Sequence, residues 1–185
     1  MNTEKYTIEE HIHRFAIWTS ARAASKSRLK NEEVASLITE SKLREKVLSI
    51  NNDSLLTQMD YHNWIKQIGE EMLILVKNKA YPETNKKNFK NDNFTFGIAA
   101  KIISIYIKTA VVLPSNGESN LAKIAYPPID SILLKNINES YNKKFNTNWS
   151  KFDWLSYCEM ILNLKDVFQC DLNWEIEQKW KIKSS

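Results

Sequence analysis

Apolar residues recur along this chain at spacings of three and four, and the breaks between those runs fall at residues that start or stop helices. Thr7-Ile8-Glu9-Glu10 has the Thr-x-x-Glu spacing of a capping box, in which hydroxyl and carboxylate satisfy reciprocal backbone amides. It predicts a helix running to about Ser25, with Ile8, Ile12, Phe15, Ala16, Thr19 and Ala23 on one face and small Ala21, Ala23 and Ala24 admitting a close neighbour. Asn31 is the expected cap of a second helix, whose first turn carries Glu32 and Glu33 where negative charge complements the backbone dipole. Val34, Leu37 and Ile38 supply its buried side. Leu43 to Leu56 reads as a short helix or a turn-rich connector, because Asn51-Asn52-Asp53-Ser54 competes with helix through side-chain bonds to the backbone.

Asp60 is the expected cap of a longer helix from Tyr61 to about Lys79, with Trp64, Ile65, Ile68, Met72, Leu75 and Val76 as its stripe. From Tyr81 to Asn93 the chain turns polar and basic, which predicts a solvated loop. Gly97 to Val112 is the most apolar helix, broken only by the narrow stripe Gly97, Lys101, Ser104 and Lys108. Pro114 to Gly117 stops it, and Pro127-Pro128 delivers the chain into a helix containing Ile132, Leu133 and Ile137. Helices over Ser150 to Phe168 and Leu172 to Ile182 complete the pattern, and no internal repeat is found.

Composition agrees with that pattern. The sequence has 3 Gly and 4 Pro in 185 residues, against roughly 12 and 9 from average usage. So few turn residues leave little for a many-stranded sheet and, with the helical pattern, predict an all-α, compact single-domain helical bundle over residues 1–185. A formal charge of +4 suits a polyanionic partner without requiring one. Two cysteines make no disulfide framework, and no signal-peptide pattern precedes the first helix, so a reduced, cytoplasmic setting is expected. The longest apolar run, Ile98 to Leu113, carries Lys101 and Lys108, so no membrane span is expected. His11 and His13 point about 200° apart on a helix and make no same-face metal pair. His62 has no Cys or His at ligand spacing, Cys158 and Cys170 read as core or half-buried thiols, and neither metal nor cofactor is expected.

Two residues carry the candidate chemistry. Lys101 lies on an apolar helix, the setting in which an amine loses its proton readily enough to act as a nucleophile, although such a lysine also snorkels or pairs with a carboxylate. Asp130 precedes Ser131 at an expected helix start, where a carboxylate caps the backbone. Lys86, Lys87 and Lys90 flank Phe89 in the basic stretch, either as phosphate contacts or as a solvated loop.

Gly97-Ile98-Ala99-Ala100-Lys101 and Pro127-Pro128-Ile129-Asp130 together resemble the catalytic segment of helix-hairpin-helix DNA glycosylases, in particular the 8-oxoguanine glycosylase-like branch. The likeness covers about a fifth of the chain. In that family a Gly-x-Gly turn leads into a helix beginning with a nucleophilic lysine, and a catalytic aspartate follows a Pro-containing approach. Here Ala99 stands at the second glycine, and Ser115 to Tyr126 lengthens the approach to Asp130. The resemblance implies removal of a damaged purine from DNA: Lys101 attacks the sugar C1′, and Asp130, remaining ionised, stabilises positive charge developing on the sugar and helps to position or deprotonate the amine. The Schiff base formed in this way is open to β-elimination. Gly97, Lys86, Lys87, Lys90 and Lys108 become the expected DNA contacts, and Trp149 and Trp154 the candidates for stacking an extruded base. Likeness to compact bacterial members found in anti-phage operons implies a defence role and a protein partner from such an operon. The competing reading is a non-catalytic helical module that binds nucleic acid or protein on the same scaffold, favoured by Ala99 and the long approach; neither reading fixes an oligomeric state.

Overall fold

A computed structural model describes residues 6–24, 29–78 and 93–182, and these form an all-α fold. Eight α-helices are described: α1 (Ile8–Ala23), α2 (Asn31–Glu40), α3 (Leu43–Asn51), α4 (Gln58–Asn78), α5 (Phe96–Ile107), α6 (Asn120–Ile124), α7 (Ser131–Tyr141) and α8 (Trp154–Phe168). A π-helical turn, Lys108–Val112, extends α5, and 3-10 turns lie at Trp149–Lys151 and Trp174–Lys179. The expected polar loop, with Lys86, Lys87 and Lys90, lies largely outside the described residues.

Local chemistry sets most of these boundaries. Thr7 caps α1 by accepting from the Glu10 amide. Helix α2 is capped from Lys30, whose amide donates to the Glu33 carboxylate at 2.6 Å, so Asn31 is the first helical residue rather than the cap. Helix α4 begins three residues before the expected Tyr61, because Thr57 and Asp60 form a reciprocal pair. The Asp60 amide donates to Thr57 Oγ1 at 3.2 Å, and the Thr57 amide donates to Asp60 Oδ2 at 3.0 Å. The expected C-terminal helix over Leu172 to Ile182 is instead the short 3-10 turn with extended flanks. Within the supposed insertion Ser115 to Tyr126 sits α6, capped by Ser119.

Helix α5 is the axis of the core: every residue from Phe96 to Ile107 is buried except Lys101 and Ile105, which are half-buried. It packs against α1 and α4. The approach to α4 is close enough that a Cβ on Gly69 would stand 2.5 Å from the Phe96 ring. Helix α1 is rotated from the expected face: Ala16 is buried as expected, but it is joined by Ser20, Ala21 and the adjoining Ala24, whereas Ile8 and Phe15 face solvent, as Trp18 does. The short residues fit against α5 and the bulky ones do not, so closeness of approach overrides hydrophobicity in fixing the rotation. Among the described residues no helix is long and apolar enough to cross a membrane.

That rotation leaves His13 half-buried, with its Nδ1 2.6 Å from the Tyr106 hydroxyl. Burial, and then the nearby Arg44 charge, hold the His13 imidazole below its ordinary value of 6.5. The unfolded chain therefore binds more protons just below that value, and stability present above it is lost as pH falls through the folded pKa. Thermal melts are expected to show Tm falling on acidification from pH 6.5, and falling less in His13→Gln; equal slopes in the two proteins would contradict this.

Candidate functional site

The site is assembled on the first two turns of α5. Thr95 caps the helix by accepting from the Ile98 amide, and its hydroxyl donates to the Ser150 carbonyl at 3.1 Å. The Gly97 amide donates to the Phe152 carbonyl at 2.9 Å. A Cβ on Gly97 would fall 2.0 Å from the Trp149 carbonyl oxygen, so only glycine allows α5 to lie this close to the 3-10 turn. Gly97 therefore sits in the first turn of a helix and faces the protein interior, and Lys101 follows in the second turn rather than at the helix start.

This docking places the Lys101 amine 4.3 Å from the centre of the Trp149 ring, a cation–π contact. From the other side Lys101 Nζ donates to Asp130 Oδ2 at 3.2 Å, and the two side chains keep only 12% and 11% of their exposure. Asp130 reaches that point because Pro127 and Pro128 keep the chain extended up to α7. It is also the cap of α7: Oδ1 accepts from the Ile132 and Leu133 amides, each at 3.0 Å. Trp180 Nε1 donates to the same carboxylate, at 3.0 Å from Oδ2. The cap and the lysine partner are thus one group, with its two oxygens turned to different tasks.

A second lysine–carboxylate pair lies two turns along the same face of α5, where Lys108 meets Glu177. Burial pushes the Glu177 carboxyl above its ordinary value, Lys108 opposes that, and the Asp130 charge adds to it. Since the folded state holds this proton more tightly than the unfolded chain, stability falls as pH rises from 4.5 through the raised value. Glu177→Gln removes that loss, so its Tm relative to the natural protein is expected to climb between pH 4 and pH 7. A relative Tm that fell over that interval would show that the Lys108 pair outweighs burial.

Of the residues singled out from sequence, Lys101, Asp130 and Trp149 come together, and Lys108 lies two turns further along, paired with Glu177. Trp149 is itself buried, with the lysine over its ring. Trp154 belongs to another cluster, against His62 and Phe96 at centroid distances of 4.8 and 4.9 Å. Glu177 and Trp180 join the site from the C-terminal 3-10 turn and its cap, a segment in which no local pattern marks either as a partner of Lys108 or Asp130. His11 Nδ1 lies 2.9 Å from the Tyr6 hydroxyl, and among the described residues no group of three or more His, Cys, Asp or Glu side chains could hold a metal ion.

Chemically, the arrangement is a primary amine on an aromatic face with a proton acceptor within hydrogen-bond reach. No family model, curated protein or solved structure matches the chain.

Proposed function

We propose that this chain is a DNA glycosylase acting on an oxidised purine such as 8-oxoguanine, with Lys101 as nucleophile and Asp130 as its electrostatic and proton-transfer partner. The observation that supports the reading is the 3.2 Å contact between two groups 29 residues apart in sequence, together with the resemblance of the segments that carry them. Lys101 gives up one proton to Asp130 Oδ2, which relays it to the departing base and is again a carboxylate as positive charge develops on the sugar. Its nitrogen forms a bond to the sugar C1′ as the C1′–base bond breaks and the bonding pair departs with the base. The carboxylate stabilises the positive charge that develops on the sugar. The C1′–O4′ bond then opens and the second amine proton passes to O4′, giving a Schiff base open to strand-cleaving β-elimination. Trp149 orients the amine, and a nucleotide reaches it by displacing the C-terminal turn that lays Trp180 on Asp130. Lys86, Lys87, Lys90 and Lys108 are the proposed phosphate contacts; a role in anti-phage defence and a protein partner rest on the resemblance alone.

The test is release of free base from a duplex containing 8-oxoguanine. The natural protein is expected to release it, and Lys101→Ala and Asp130→Asn each to lower the rate by at least about 10²-fold; no release by the natural protein refutes the reading.

A second reading, a non-catalytic binding module, has one observation in its favour. The outer face of α1 exposes Ile8, Phe15 and Trp18, with the last two rings stacked at 5.6 Å and Arg22 5.3 Å from the Trp18 ring. On that reading, binding survives Lys101→Ala and weakens in Trp18→Ala.

A further inference from the structure

Helices α4 and α8 meet through paired positions four residues apart, His62 and Lys66 on one and Trp154 and Cys158 on the other. The His62 and Trp154 rings lie 4.8 Å apart, and the Lys66 ammonium is 5.4 Å from the Trp154 ring. The same meeting puts Cys158 Sγ 3.7 Å from His62 Nε2. The second ring nitrogen, Nδ1, is 3.0 Å from the hydroxyl of Tyr126, which arrives from the extended segment after α6. A thiol, an imidazole and a hydroxyl that orients the imidazole are thus in sequence, drawn from three separate parts of the chain. Both Cys158 and His62 are half-buried.

We propose that Cys158 is a peroxide-sensitive thiol, with His62 as its proton acceptor and Tyr126 as the group that positions His62. The site is separate from Lys101 and Asp130 and does not depend on the reading of that pair. In the reaction Cys158 Sγ attacks the distal oxygen of a hydroperoxide, the S–O bond forms, and the O–O bond breaks. The thiol proton passes to His62 Nε2 and then to the leaving oxygen, which departs as an alcohol, or as water when the oxidant is hydrogen peroxide. Sulfur is oxidised to the sulfenic acid and the peroxide is reduced.

The geometry carries this chemistry: Nε2 faces the sulfur while Nδ1 is held by Tyr126. Burial pushes the Cys158 thiol up and holds the His62 imidazole low, both of which oppose the transfer, while the nearby Lys66 charge favours the thiolate. The resting pair is a thiol beside a neutral base, so the proton moves only as the sulfur attacks. The imidazolium so formed has an acceptor at each nitrogen, the sulfur at Nε2 and the Tyr126 oxygen at Nδ1. The product also has no internal thiol to consume it. Cys170 is the second of the sequence's 2 cysteines, and it lies beyond the end of α8, about 15 Å further along the helix at 1.5 Å per residue, well outside disulfide reach.

Cys170 is exposed and so serves as the internal control. The reduced full-length protein is treated with hydrogen peroxide in the presence of dimedone, and adduct formation is followed at each cysteine by peptide mass spectrometry. Cys158 is expected to be labelled faster than Cys170 despite being less exposed. His62→Gln should slow Cys158 by at least about tenfold and leave Cys170 unchanged; Tyr126→Phe, which keeps the ring, should slow it by a smaller factor. Labelling of Cys158 no faster than Cys170, or an unchanged Cys158 rate in folded His62→Gln, overturns the proposal. If circular dichroism shows that His62→Gln is unfolded, the Cys158-to-Cys170 ratio in the natural protein and the Tyr126→Phe rate decide between the same two outcomes.

Discussion

Asp130→Ala is expected to destabilise the fold by about 3–5 kcal/mol, the range for removing one partner of a buried ion pair. The carboxylate is 8% exposed as a residue and is the acceptor for Lys101, Trp180 and two amides of α7. Truncation leaves the Lys101 charge without its acceptor and the α7 start without its cap in a single step. Asp130→Asn separates these roles, because its side-chain oxygen still accepts from the Ile132 and Leu133 amides while the negative charge is gone. Urea denaturation is expected to show Asp130→Asn recovering about 1 kcal/mol of the stability lost in Asp130→Ala, the share of the cap. Equal losses would mean that the charge alone, and not the cap, holds α7 in place.

The second large effect is at Gly97. Helix propensity by itself makes Gly97→Ala stabilising by about 1 kcal/mol. The geometry predicts the opposite sign, because the new methyl would sit 2.0 Å from the Trp149 carbonyl oxygen and 3.2 Å from Phe152 Cβ. A backbone carbonyl cannot rotate out of the way like the end of a long side chain, so α5 and the 3-10 turn must separate. A loss of about 3 kcal/mol is expected, at the upper end of overpacking costs, lowering Tm by roughly 6–12 °C for a chain of this size. Separation also moves Trp149 away from Lys101, so the contact between amine and ring should weaken in the same variant. An unchanged or raised Tm in Gly97→Ala would mean that the close approach is not as described.

These two positions show what the sequence made legible and where it stopped. The cap at Asp130 could be read locally: two prolines, a carboxylate and an apolar helix start are near neighbours in the chain. Thr7 and the buried side of α2 were legible for the same reason. The rotation of α1 was not, since its pattern offers Ile8 and Phe15 as readily as Ser20 and Ala21, and only the approach of α5 selects the small residues. The start of α4 was misplaced because Asp60 works from inside the helix, bonding back to Thr57. Within the site, the Gly97 and Lys101 signals were present, but their spacing describes a helical turn here, with Gly97 serving helix docking. Trp180 on Asp130 spans 50 residues, and His62 beside Cys158 spans 96. No local pattern encodes such pairs, which form only when the helices pack.

The measurement that bears most directly on Lys101 as a nucleophile is borohydride trapping on a duplex containing 8-oxoguanine, with the adduct located by peptide mass spectrometry. A covalent protein–DNA adduct on Lys101, absent in Lys101→Ala and sharply reduced in Asp130→Asn, is the predicted result. An adduct on another lysine, or none while the protein still binds the duplex, would contradict the account.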